Sequence, residues 1–153
     1  MSSSLSASEL SSHLGFWLRT VSNHVSHTFA AKLARKDVTV AEWVVMRSLY
    51  GAEPTLPSRL ARLLGMTRGA ISKLADRLIA KSLVVRSASV EDGRAQTLTL
   101  TAKAKKLVPE LAAIADQNDL EFFSCLSQAE RENLECLLKR IAERNHVTAI
   151  PVD

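Results

Sequence analysis

Residues 56–101 read LPSRLARLLGMTRGAISKLADRLIAKSLVVRSASVEDGRAQTLTLT, and this stretch decides the fold. Leu60, Ala61, Leu63 and Leu64 are the apolar positions of a short helix, and Pro57 suits its first turn. Gly65 ends that helix, as glycine does where the chain needs a left-handed residue. Thr67 can cap the next helix through its hydroxyl. The spacing predicts that this second helix buries Ala70, Ile71, Leu74 and Leu78. Its other face carries Arg68, Ser72, Lys73 and Arg77. Two alternating runs follow, around Leu83–Arg86 and Thr97–Leu100, with Glu91-Asp92-Gly93 between them as a hairpin tip. Two helices around a glycine turn, then a hairpin, predict a winged helix-turn-helix.

The finer pattern fits a DNA-reading unit. Such a unit needs a small residue where its helices cross, here Ala61, and a glycine in the turn, here Gly65. Ile71 and Leu74 supply the packing inside the second helix. The alternative is a helical hairpin that merely packs, and charge argues against it. From Leu56 to Arg94 there are eight Lys/Arg and three acids, a local +5 in a chain whose total is +4.

These residues resemble the MarR-type transcriptional regulators. The resemblance is carried by Leu60-Ala61, Gly65, Ile71-Ser72-Lys73, Asp76-Arg77-Leu78 and Leu83-Val84-Val85-Arg86. The wing adds Asp92-Gly93-Arg94 and Leu98-Thr99-Leu100-Thr101, its most specific part. A long helix before and two helices after also fit. The chain departs from the usual pattern at Ser82 and Ala104, where such proteins usually place glycines. The resemblance implies a winged-helix repressor that works as a homodimer. It also implies a small aromatic or phenolic effector in the cleft between the first two helices, where Trp17, Trp43, Met46 and Arg47 are the candidates. Core packing of Trp43 and Met46 is the competing, slightly preferred reading.

Composition sets the outer bounds. With 153 residues the chain makes one compact domain with a real core. A pI near 9.3 suits a polyanionic partner, but the distribution of charge says more. Residues 107–153 hold nine acids and four Lys/Arg, a net −5, so the positive charge is confined elsewhere. The serine-rich start lacks the basic-then-apolar pattern of a signal peptide. No stretch approaches a membrane span. Two cysteines, Cys125 and Cys136, fit a cytoplasmic protein without a disulfide framework.

Outside the central stretch, residues 8–35 read as one long helix with Leu10, Leu14, Trp17, Leu18, Val21, Val25, Phe29 and Leu33 on one side. A helix of that length exceeds what a small domain covers, and so predicts contact with a partner subunit. His24 and His27 lie three apart on it, but no third ligand supports a metal site. Lys36-Asp37 breaks the pattern. Thr39-Val40-Ala41-Glu42 is a capping box, with Val38 and Trp43 placed to staple it. Glu53-Pro54-Thr55 is a connection able to add a short strand to the wing. After Thr101, residues 102–124 form an amphipathic run that either starts late or kinks at Pro109. Ser127-Gln128-Ala129-Glu130 is a second capping box, opening a helix with Leu134, Leu137, Leu138 and Ile141.

The expected fold is mainly α with a small β-hairpin wing and long N- and C-terminal dimerisation helices. It divides into residues 1–36 (dimerisation helix), 37–101 (DNA-binding unit) and 102–153 (C-terminal dimerisation helices). Enzyme chemistry has no support: there is no phosphate loop, no nucleophile elbow and no spaced acid pair. No cofactor is expected. The expected partners are double-stranded DNA with a palindromic operator and a second copy of the chain. Arg68, Ser72 and Lys73 would face the major groove. Thr67 and Arg77 would meet the phosphates, and Gly69 belongs to the same DNA-binding set. Arg94 would enter a minor groove from the wing, with Gly93 letting the chain turn and Asp92 pairing with a nearby arginine. Two other regulator readings remain: redox sensing through Cys125 or Cys136, both expected to pack as small hydrophobes, and a winged helix used for protein contact.

Overall fold

A computed structural model describes residues 7–152; the serine-rich residues 1–6 and residue 153 lie outside it. The helices are α1 (Leu14–Ala34), α2 (Val40–Leu49), α3 (Pro57–Leu64), α4 (Arg68–Ala80), α5 (Ala102–Phe123) and α6 (Gln128–Arg144). Strands β1 (Val84–Ala88) and β2 (Gln96–Leu100) form the antiparallel wing between α4 and α5.

Local chemistry sets most boundaries. α1 begins at Leu14, later than its apolar repeat suggests, because Leu10–Ser12 form a separate single turn. The turn after α1 is made by Asp37 in the left-handed region, φ 55°. Thr39 then caps α2: its hydroxyl accepts from Glu42 N at 3.1 Å, and Glu42 returns a carboxylate oxygen to Thr39 N at 2.9 Å. Gly65, at φ 64°, closes α3. α4 ends on Ser82, a serine at φ 58° where glycine would be unstrained. Two bonds hold that cap, from Ser82 N to Ile79 O at 2.9 Å and from Leu83 N to Leu78 O at 2.8 Å.

The hairpin register runs from Val84 opposite Leu100 to Ala88 opposite Gln96. Thr55 adds the foreseen third strand as one bridge, exchanging both backbone bonds with Leu98. α5 starts at Ala102 under a Thr101 cap and continues through Pro109, so the late start is corrected. Pro109 offers no amide to the carbonyl one turn back, but Lys105 and Pro109 are both exposed and water can serve that carbonyl.

One core joins these elements. It runs from Leu33 at the end of α1 through Val45 and Met46, Leu60 and Leu64, Ile71 and Leu78, and Leu98 to Val108 and Leu111 on α5. On α4 the buried row is Ile71, Leu74, Ala75 and Leu78. Ala75 takes the place expected for Ala70, because the i, i+3, i+4, i+7 row centres on Leu74.

The outer halves of the long helices stay uncovered. Leu14, Trp17, Leu18 and Val21 on α1 are exposed, and α6 has no buried residue; its Leu137, Leu138 and Ile141 face outward. α1 packs on α5, tied by Lys32 to Glu121 at 2.6 Å and Lys36 to Glu110 at 3.1 Å. Lys32 and Gln117 hold the Glu121 carboxyl below its ordinary value. Among the described residues no helix is long and apolar enough to cross a membrane.

Candidate nucleic-acid interface

The turn from α3 to α4 presents the start of a helix to solvent. Thr67 sits in extended backbone, and its hydroxyl oxygen accepts from Ala70 N at 3.1 Å. A hydroxyl has a donor to spare after accepting, so Thr67 O–H stays available to an outside oxygen. The first amides of a helix have no intrahelical acceptor and carry the positive end of its dipole. Thr67 serves one of them. The amides of Arg68 and Gly69 belong to the same turn, and both residues are exposed. A Cβ at Gly69 would meet nothing within 4 Å, so the surface there is open for a phosphate backbone to approach.

Beyond that turn, Ser72, Lys73, Asp76 and Arg77 follow one another along the solvent face of α4, all exposed. They lie opposite the buried row, which fixes the rotation of the helix about its axis. The single acid is neutralised in place: Asp76 pairs with Arg86 of β1 at 2.8 Å, joining α4 to the wing. Among the described residues no carboxylate lies within 4 Å of Arg59, Arg62, Arg68, Lys73, Arg77 or Arg94. Six unpaired cations on one unit make a field that draws a polyanion. Arg59 and Arg62, read from the sequence only as charge, both stand exposed on α3.

The wing tip is built differently from the expectation. Asp92 pairs with no arginine. Its Oδ1 accepts from Arg94 N at 3.0 Å, an aspartate turn that orients the backbone of the arginine. Gly93 is outside the left-handed region and a Cβ there would meet open space, so the turn does not depend on glycine. Ser89 shapes the loop instead: Ser89 N donates to Ala95 O at 2.8 Å, and its hydroxyl accepts from Glu91 N and Asp92 N. Arg94 itself is exposed at the end of the hairpin.

A helix-turn-helix with a basic exposed second helix and an arginine-tipped hairpin is the arrangement of a DNA reader. Known proteins share it. A family model described as MarR family matches residues 36–95. The HTH-type transcriptional regulator SarZ of Staphylococcus haemolyticus is 30% identical over 138 residues, covering 90% of this chain and 92% of SarZ. The chain belongs to the MarR family. Two solved structures extend the likeness through the long helices. A probable transcriptional regulator from Pseudomonas aeruginosa superposes with a TM-score of 0.76 at 28% identity, over 87% of this chain and 99% of its own. A mutant MarR from E. coli, solved in complex with operator DNA, gives 0.75 at 26%, over 84% and 92%. This MarR-family protein is accordingly a DNA-binding transcriptional regulator and not an enzyme.

The residues assigned to an effector are not gathered into one cavity of this MarR-family chain. Met46 is 0% exposed and packs in the core, the preferred of its two readings, and so does not line an open cleft. Trp43 is half-buried against the same core. Arg47 is exposed, its guanidinium 5.9 Å from the centre of the Tyr50 ring. Trp17 is 53% exposed, and its indole N–H donates to Ser11 O at 2.8 Å. The cysteines also differ from expectation: Cys125 follows α5 and Cys136 lies on α6, and both are free and exposed in the single chain. Cys125 sits in the turn between α5 and α6, and Cys136 on a helix that the single chain leaves uncovered. His24 packs its ring 5.4 Å from that of Phe122, and among the described residues no three potential ligands cluster for a metal.

Proposed function

We propose that this protein is a sequence-specific repressor acting in the cytoplasm as a symmetric homodimer on a palindromic operator. Residues 1–36 and 102–153 join the two copies, and residues 37–101 read DNA. Arg68, Ser72 and Lys73 meet base edges in the major groove, where Arg and Lys bond guanine O6 and N7. Thr67, Gly69 and Arg77 meet phosphates and fix the register. Arg94 reaches the flanking minor groove. The observation that carries this reading is the solvent face of α4, whose Arg68, Lys73 and Arg77 have no acidic partner among the described residues and whose start is left open at Gly69. The uncovered apolar faces of α1 and α6 support the dimer.

Release of the operator belongs to the same reading. On this reading a small aromatic or phenolic acid is the effector, with Arg47 the candidate cation for its carboxylate and Trp17 and Trp43 the candidate aromatic contacts, brought together on binding. It weakens DNA binding only as far as it prefers the non-binding conformer. Calorimetry with a panel of benzoates and phenols tests it; no heat from any of them, with operator affinity unchanged, removes the effector.

The central test is selection of duplexes from a random pool by the full-length protein, followed by titration at several salt concentrations. The expected product is an imperfect palindrome with half-site centres about one turn, roughly 10 bp, apart. Binding without any sequence enrichment would overturn the specific reading. No DNA binding at all would favour a winged helix used for protein contact.

A further inference from the structure

A buried carboxylate lies outside the DNA-facing set. The side chain of Glu42, on the first turn of α2, is 2% exposed. Taking a carboxylate out of water is unfavourable unless it is paired and hydrogen-bonded. Its Oε2 accepts from Thr39 N at 2.9 Å and from Lys81 Nζ at 2.9 Å. Lys81 Nζ also donates to Asp37 O at 2.6 Å and stands 3.7 Å from the Asp37 carboxylate. The capping box accounts for an amide or a carboxylate at this position, since glutamine serves there as well. Only the ammonium calls for the charge.

Lys81 is the cap residue at the C-terminal end of α4. Its carbonyl accepts from Lys103 Nζ at 3.1 Å, and that of Ser82 accepts from Thr101 Oγ1 at 2.8 Å. The end of the recognition helix is therefore held from the α1–α2 corner on one side and from the start of α5 on the other. Arg68 lies at the opposite end, about 20 Å away at 1.5 Å per residue, so a tilt of about 5° pivoted at Lys81 moves it by roughly 2 Å. Hydrogen bonds to base edges do not survive a displacement of that size. An ion pair with a buried carboxylate adds little net stability over an apolar pair of equal volume, so its use here is sought in the geometry it holds.

We infer that the Glu42–Lys81 pair is a latch that sets the angle of the recognition helix, making both positioning residues for operator recognition that touch no DNA themselves. This rests on α4 being the recognition helix. The rival role for Lys81 is a phosphate contact, and the two separate by salt dependence.

The test uses the full-length protein and the duplex it selects. Glu42→Gln keeps the capping box and Lys81→Met keeps the aliphatic stem. Each is expected to lower operator affinity on the order of tenfold while leaving affinity for random duplex and the salt slope unchanged. Lys81→Arg should retain most of the affinity. The double variant should lose no more than either single one, because both break the same interaction. It also leaves no unpaired buried charge, so it serves where a single variant fails to fold. Lys81→Met lowering the salt slope by about two per dimer, with Glu42→Gln neutral, would make Lys81 a phosphate contact and overturn the latch. Variants that melt earlier yet bind the operator like the native protein would reduce the pair to a structural role. A native protein that selects no duplex would instead overturn the reading of α4.

Discussion

Arg68 occupies the first position of α4, exposed and free of any carboxylate among the described residues. In the proposed complex a guanidinium there donates two parallel bonds to one guanine. Arg68→Ala is expected to reduce operator affinity by about 1–3 kcal/mol and to relax preference at a single base pair. Fluorescence anisotropy on operator and scrambled duplexes checks this; an equal loss on both would make Arg68 a phosphate contact. The residues of this site were unevenly legible. Thr67, Arg68, Lys73 and Arg77 could be placed on the solvent face because α4 buries a regular row, and a helical period fixes both faces at once. The caps Thr39–Glu42 and Ser127–Glu130 were equally plain, since both partners lie within one turn. The pairs Asp76–Arg86 and Glu42–Lys81 were invisible, because periodicity says which face a residue occupies and nothing about what faces it.

The wing and α6 are elements whose behaviour follows from their ends. β1 and β2 carry Arg94 on a loop held by Ser89 and Asp92, so its backbone is fixed while its side chain stays free. In Arg94→Ala, the slope of log affinity on log salt should fall by about two per dimer, one phosphate-neutralising charge from each subunit. Preference for A/T-rich flanks should also vanish, since their narrow minor groove attracts arginine. An unchanged slope and flank preference would take the wing off the DNA. α6 makes a different prediction. The Ser127 amide donates to the Glu130 carboxyl at 2.7 Å and, with the serine side chain beside it, holds the carboxyl pKa below the ordinary 4.5. A carboxyl depressed on folding stabilises above its unfolded pKa, and that stabilisation is lost as pH falls through the folded value. Amide exchange at the start of α6 should therefore accelerate as pH drops below about 4.5, after correction for intrinsic rates. Glu130→Gln should abolish that extra dependence; an identical profile in the variant would exclude the cap as its source. Element types and order were readable from period and caps. The start of α1 and the passage through Pro109 were not, because a separate turn and a solvated carbonyl leave no mark on an apolar repeat.

At the scale of the molecule, the core ends where the long helices leave it. It takes in Leu33 and Leu111, while the N-terminal half of α1 and all of α6 remain outside. Glu at Leu137 or Leu138 places an unpaired charge on the uncovered face and should split the dimer or unfold it. Sedimentation at micromolar concentration reads the result; a compact monomer of the native protein under those conditions would remove the symmetric assembly. The uncovered state of α6 reaches further. A seventeen-residue helix with no buried side chain is marginal by itself in water. In the proposed dimer, ordering α6 and finding a second copy become one event, whose free energy depends on protomer concentration. On that reading, the pool able to grip a palindrome in a cell grows with the square of copy number while copies are scarce. The regulator's own expression level thus becomes a steep input: halving synthesis cuts the competent pool about fourfold in that regime, before any small molecule acts.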